Sequence, residues 1–328
     1  MKKLLALVLC AALLAVLPAG CAGEEDLTTV QVNEVTHSVF YAPFYAALEL
    51  GFFQEEGLQI ELTNGGGADK VMTAVLAGQS DVGLAGPESC IYVYLEGRED
   101  YPKVFAQLTK RDGSFIVGRT DEEFSWENLR GKTILGGRKG GVPEMTLEYV
   151  MRQNGIEPNV DAVVDTSVQF NMMAGAFTGG NGDYVALFEP TATQVELEGQ
   201  GYVLTSLGLE SGEIPYTAFF AAQSYMEANP DVIQGITDAV ARGQQWVQEH
   251  SAAEIAEAIA PQFPDTDLEF LTAVCQRHLD IDAWNATPVM KSEALDRLMD
   301  VMESAGELES RVEFDALVDN TYAEAASW

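Results

Sequence analysis

Strand-like segments alternate with amphipathic helices along the first two-thirds of this chain, and the alternation breaks off once and restarts. That rhythm limits the fold more than any other feature. Strands separated by helix-length segments cannot pair as tight hairpins, so they are expected to lie mostly parallel with helices on both faces of the sheet. In the first series Val30–Val35 alternates apolar and polar residues, and Pro43 suits the first turn of a helix running through Leu50 to a stop at Gly51. Leu58–Leu62 is the next strand and leads into Asn64-Gly65-Gly66-Gly67. A helix over 68–77 buries Val71, Met72, Val75 and Leu76 and ends at Gly78, and Val82–Ala85 is a short apolar strand.

The second series begins after Ser114–Arg119. Lys132–Leu135 reads as a strand, 136–141 as a glycine-rich loop, Pro143–Asn154 as a helix closed by Gly155, and Asp183–Phe188 as a further strand. Tyr216–Ala222 is placed to carry the chain back, and from Pro230 onward the pattern is helical, with Asn229 as an N-cap and Ser251 with Glu254 as a capping box. The expected architecture is α/β with two lobes. Residues 30–115 and 218–328 form the first lobe with C-terminal helices packed on it, 116–217 form the second, and connections near 114–119 and 216–222 serve as hinges. Open α/β sheets bind ligands at the carboxyl ends of their strands, so two facing lobes bring their loops to one cleft.

Four loops supply candidates for that cleft. His37, Phe40 and Tyr41 follow the first strand and suit stacking on, and hydrogen bonding to, a flat ligand. Gly86, Pro87 and Glu88 form a strand-to-helix turn whose free N–H groups can meet a ligand acceptor. Gly140 and Gly141 let the backbone approach closely, with Val142 and Glu144 at the helix start; the loop lacks the Lys and Ser/Thr of a nucleotide P-loop. Arg138 and Lys139 read as solvated. Glu189, between Phe188 and Pro190, is costly to bury unless something pairs with it, and a ligand donor is one candidate for that partner; Tyr216 is placed to line the cleft from the hinge side. His37, His250 and His278 show no metal spacing, and there is no G-x-S-x-G motif or paired-cysteine metal motif. Neither metal nor cofactor is expected, and binding is favoured over catalysis.

The N-terminus bears on location. Lys2 and Lys3 precede an apolar run of 13 residues, Leu4–Val16, which is shorter than the roughly 20 needed to span a bilayer but suits a signal peptide. Ala19-Gly20-Cys21 then fits cleavage after residue 20 and acylation of Cys21, with 21–29 as an acidic tether. The expected location is the outer face of the cell membrane, or its periplasmic side, with contact through the lipid alone. Losing Lys2 and Lys3 takes the net charge from −33 to −35, which argues against nucleic acid as a partner. Cys90 and Cys275 sit in apolar helical patterns and are expected to stay unpaired.

Tyr41–Ala47, Gly51–Leu58, Ala77–Gly83 and Asn128–Lys132 together resemble a family of substrate-binding proteins of ABC importers, those for thiamine-pyrimidine precursors, nitrate, sulfonates and taurine. The resemblance implies a type II periplasmic-binding-protein fold, a monomer closing on a small-molecule ligand, and an importer permease with its ATPase as partner. The family's fungal pyrimidine-synthesis enzymes carry a cysteine-rich iron motif that this chain lacks, so that activity is not implied. Acidic and aromatic candidates favour a thiamine-pyrimidine-like nitrogen heterocycle, since anionic sulfonates or nitrate call for positive charge. Arg111, Arg138 and Lys139 keep the anionic solutes as the alternative, and a sensory ligand-binding lipoprotein is the other.

Overall fold

The computed structural model describes residues 27–327; the expected signal peptide and the lipidation site at Cys21 lie outside the described residues. Among the described residues ten strands form two five-stranded sheets. The first comprises β1 (Thr28–Glu34), β2 (Leu58–Asn64), β3 (Val82–Ala85) and β4 (Pro102–Thr109), joined by β10 (Thr217–Ala222), in the order β2-β1-β3-β10-β4. The second is built from β5 (Ser114–Gly118), β6 (Thr133–Leu135), β7 (Val163–Asp165), β8 (Tyr184–Phe188) and β9 (Tyr202–Ser206), in the order β7-β6-β8-β5-β9. β1 begins at Thr28, so the last two residues of the expected tether are already in the sheet.

Both sheets are mixed for the same reason. β1 runs parallel to β2 and β3, whereas β10, arriving from the other lobe, runs antiparallel to β3 and β4. β5, arriving from the first lobe, runs antiparallel to β8 and β9. The segments 114–119 and 216–222 are therefore not the expected hinges: their apolar residues are nearly all buried within sheets, which fixes them. The crossings are the short stretch 110–113 and the longer 207–216, so the lobe boundaries shift by a few residues.

β3 is buried along its whole length, with Gly83 leaving room for Phe220: a Cβ there would stand 2.4 Å from that ring. Phe44 on the helix Ala42–Glu49 packs edge-on to Phe53 and Phe219, which places the aromatic core of the first lobe between that helix and β10. Gly51 and Gly155 end their helices with φ of 82° and 75°, conformations that other residues adopt at a cost.

The C-terminal helices differ from expectation. The capping box of Ser251 and Glu254 forms. Asn229 does not cap Pro230–Glu249 with its side chain, which instead donates to the Tyr225 carbonyl at 3.0 Å. Pro230–Glu249 packs on the first lobe, against Ala42–Glu49, as anticipated. Ser292–Ser304, however, packs against Val142–Gln153 of the second lobe, where Arg152 donates to Ser304 Oγ at 3.2 Å. The C-terminal segment thus braces both lobes. Cys90 and Cys275 are free and buried, and among the described residues no helix is long and apolar enough to cross a membrane.

Candidate ligand-binding site

The turn after β1 opens the site. Ser38 accepts the Phe40 amide at 3.2 Å and so starts the short turn Val39–Tyr41, while its hydroxyl donates across the cleft to the Glu189 carbonyl at 2.6 Å. This fixes Phe40, which Trp284 supports from behind by donating from Nε1 to the Phe40 carbonyl at 3.0 Å. The Phe40 ring lies 5.9 Å from Phe188 and 5.7 Å from Tyr216, and Phe170 lies 5.5 Å from Phe188. Aromatic side chains from both lobes and from the return crossing thereby converge.

They enclose a cavity of about 90 Å³, several times the ~10–15 Å³ a single water needs on this measure. Phe40, Tyr41, Gly86 and Glu88 line it from the first lobe. Gly141, Val142 and Phe188 line it from the second, and Tyr216 closes the hinge side. Eight of the residues singled out in the sequence therefore meet in one place. An outer chamber of about 350 Å³ shares Ser38, Phe170 and Phe188 with the cavity and is bordered by His37 and Glu189.

Glu88 dominates the electrostatics. It is 2% exposed, and its Oε2 has no hydrogen-bond partner among the described residues. Burial raises its pKa to about 7, opposed in part by its own amide, by the Arg138 guanidinium across the cleft and by the Ser89 and Val142 amides. The carboxylate folds over Gly86, where any Cβ would lie 1.9 Å from Oε2; glycine is what permits this rotamer. Arg138 is exposed, as the sequence reading has it, yet it also lines the cavity and reaches towards Asp69 on the opposite lobe at 3.8 Å.

Five expected contacts are placed elsewhere. Glu189 is buried, but its carboxylate is engaged within the protein: Arg277 donates at 2.9 Å, and the Thr193 hydroxyl and amide donate at 2.7 and 2.9 Å. The partner anticipated from a ligand is Arg277, which the sequence places 88 residues away. His37 bridges Glu34 at 2.8 Å and the Gln262 carbonyl at 2.9 Å, and the Glu34 carboxylate raises its pKa. Glu144 accepts from the Gly140 amide at 3.1 Å and, with burial and neighbouring Glu148, has its pKa raised to about 7. Gly140 is further held by Tyr92, whose hydroxyl donates to its carbonyl at 3.0 Å, so Gly140 and Glu144 sit behind the cavity wall. Pro87 starts the helix Glu88–Leu95 and does not line the cavity.

Thr36, Ser38, Gly136, Gly137, Phe170, Met173 and Thr217 line the cavity without having been singled out. Gly136 and Gly137 belong to the glycine-rich run already noticed. Phe170 lies in a stretch without periodicity, in a short turn next to the helix Met173–Thr178, and nothing local marks it. Among the described residues no group of three or more His, Cys, Asp or Glu side chains is arranged to hold a metal ion.

Two mixed sheets exchanging one strand each, with a cavity at their facing ends, define the class: a periplasmic-binding-protein fold of two lobes. The chain belongs to the NMT1/THI5-like family, which it matches over residues 39–254. It is 43% identical over 307 residues to the candidate binding protein YtlA of Bacillus subtilis (strain 168), covering 93% of this chain and 92% of that one. Its fold is shared with the ligand-binding component of an ABC-type import system from Staphylococcus aureus (TM-score 0.72, 15% identity, 92% and 99% of the two chains). It is shared also with the alkanesulfonate-binding protein SsuA from Xanthomonas axonopodis pv. citri bound to MOPS (TM-score 0.70, 16% identity, 89% and 98% of the two chains).

Proposed function

We propose that this chain is the extracytoplasmic solute receptor of an ABC importer, anchored by lipid at Cys21, and that it captures a flat nitrogen heterocycle of the thiamine-pyrimidine type. The carrying observation is Glu88: a buried carboxylate whose Oε2 has no partner among the described residues, set in an aromatic-walled cavity between lobes. A buried carboxylate oxygen left without a donor is costly, and an exocyclic amino group or a protonated ring nitrogen supplies the missing one. Phe40, Phe188, Phe170 and Tyr216 offer faces and edges to a planar ring. Because wall residues come from both lobes, a ligand gains its full set of contacts only in the closed form and shifts the population towards it. The permease then reads closure.

Arg138 favours a second reading, an anionic solute such as an alkanesulfonate, because its guanidinium is the cation lining the cavity. A thermal-shift screen of the chain from residue 22 onward separates the two. The hydroxymethyl-aminopyrimidine precursor of thiamine should raise the melting temperature, by the equivalent of about 2.7 kcal/mol at 100 times its Kd, with no response to taurine, alkanesulfonates or nitrate. A response to sulfonates alone sinks the heterocycle and keeps the receptor.

A further inference from the structure

The outgoing and return crossings meet at two buried polar groups that the cavity chemistry above does not use. Asp112 is fully buried; its Oδ1 accepts from the Ser114 amide at 2.7 Å and the Ser114 hydroxyl at 2.5 Å, while its Oδ2 has no partner among the described residues. The Tyr216 hydroxyl is likewise buried and makes no well-formed hydrogen bond among the described residues, yet Asp112 is the carboxylate near enough to act on it as a hydrogen-bond partner, and the Tyr216 amide donates to the Thr109 carbonyl at 3.3 Å. A phenol is a donor and a carboxylate oxygen an acceptor, so each is what the other lacks. The backbone around them is joined: the Ile214 amide donates to the Lys110 carbonyl at 2.9 Å, and a Cβ on Gly208 would stand 2.1 Å from the Asp112 carbonyl oxygen.

We infer that Asp112 is a positioning residue for the cavity, holding the Tyr216 phenol so that its ring stands between Phe40 of the first lobe and Phe188 of the second. The ring is 5.7 Å from Phe40 and 6.0 Å from Phe188, so a shift of the phenol reaches the aromatic wall on both sides. Other charges are accounted for. Glu88 and Tyr41 act on Tyr216 from the first lobe. Lys110 turns outward to Asp282. Arg111 reaches that carboxylate at 3.8 Å and donates to the Gly208 carbonyl at 3.5 Å, with its Nε buried. Arg297 donates to the Glu213 carbonyl at 2.8 Å, Glu213 pairs with Lys291, and Glu210 is exposed. His278 lies across Phe40, and burial lowers its pKa. Burial raises the Asp112 pKa to about 6, and Tyr216 stays protonated throughout the neutral range. Above that pH the carboxylate is the stronger acceptor for the phenol. Only the consequence for affinity rests on the cavity being the solute site; the pair itself is tested without ligand.

The test uses the full mature chain with tyrosine labelled by carbon-13 at Cζ, the Tyr216 signal assigned with Tyr216→Phe and followed by NMR over roughly pH 4.5–8, a range that brackets the shifted carboxyl. A step centred near pH 6 is expected in the wild type and in Glu88→Gln, and is absent in Asp112→Asn. A flat Tyr216 signal in the folded wild type overturns the inference, as does a step that disappears in Glu88→Gln. The wild type and Glu88→Gln decide the matter even if Asp112→Asn does not fold. With the thiamine aminopyrimidine as probe, Asp112→Asn and Tyr216→Phe should each raise Kd about tenfold, and the double variant no more than the larger single; additive losses overturn the positioning role. If the aminopyrimidine does not bind the wild type, the ligand reading fails while the NMR step still stands or falls by itself.

Discussion

Glu88 and Glu189 occupy comparable positions, each just past the carboxyl end of a strand and at the start of a helix, one in each lobe. Both are buried, at 2% and 1% exposure. Their surroundings separate them. Glu189 is saturated by Arg277 and by the Thr193 amide and hydroxyl, so it ties the helix Leu268–Asp280 to the helix Thr191–Leu197. Glu88 faces a cavity with one oxygen unpaired among the described residues. A buried carboxylate is therefore not by itself a mark of a ligand; the missing donor is. The outer region around Glu189 works as a brace, and the inner region around Glu88 is the surface that the proposed function assigns to the ligand.

The largest effect expected from this contrast is on stability. Glu189→Gln should cost about 3 kcal/mol, the lower end for breaking a buried ion pair, because Arg277 is partly exposed and retains Glu196. Chemical denaturation measures it, and ligand affinity should change little. A stable variant that no longer binds would reverse the roles assigned to the two carboxylates. Next comes Glu88→Gln, which should weaken aminopyrimidine binding by roughly 10–100-fold, the worth of a hydrogen bond to a charged group. Calorimetry should show this with the unliganded protein no less stable than wild type at neutral pH.

The third test is pH. The Glu88 pKa of about 7 in the folded chain lies above its ordinary 4.5, so the native state holds this proton more tightly than the unfolded chain does. Its contribution is most favourable below about pH 4.5, falls as pH rises through that window, and levels off above 7. Binding of an uncharged N–H donor to the carboxylate runs the other way: affinity should fall by up to about tenfold per pH unit below 7, and in Glu88→Gln this dependence near 7 should vanish, leaving only the smaller one near 6 that Asp112 sets. An anionic solute would prefer the protonated carboxyl and bind more tightly as pH falls. The sign of the slope thus sharpens the comparison more cheaply than any single affinity.

Most of the inner region was legible because it lies where local rules are strong. Gly86 and Glu88 stand at a strand-to-helix turn, and Phe40 and Tyr41 precede a proline-marked helix; both patterns are complete within a few residues. The role of Glu189 was not legible, because its partner comes from a helix 88 residues later and no local pattern announces a tertiary ion pair. The crossings were misplaced for a related reason. An apolar run such as Ser114–Gly118 looks the same whether it links lobes or fills a gap in a sheet, and only its pairing with β8 and β9 decides. Phe170 and Trp284 reach the site only through the tertiary fold, the first as a wall and the second by its hydrogen bond behind Phe40.

The smallest effect expected carries much of the decision between solute classes. Arg138 lines the cavity, yet its side chain is 41% exposed, and its nearest acidic partner, Asp69, is itself largely exposed. A guanidinium so well hydrated contributes little to holding a heterocycle whose donors point at Glu88, since exposed pairs are worth about 0–1 kcal/mol. Arg138→Ala should therefore raise the aminopyrimidine Kd less than about fivefold by calorimetry. For a sulfonate or nitrate the same side chain would be the main counter-charge, and its removal should cost tenfold or more, as charge-assisted hydrogen bonds of roughly 1.5–3 kcal/mol imply. Running Glu88→Gln and Arg138→Ala against both ligand types turns the comparison of regions into a comparison of charges. A cavity made for a donor loses its ligand with Glu88, and one made for an anion loses it with Arg138.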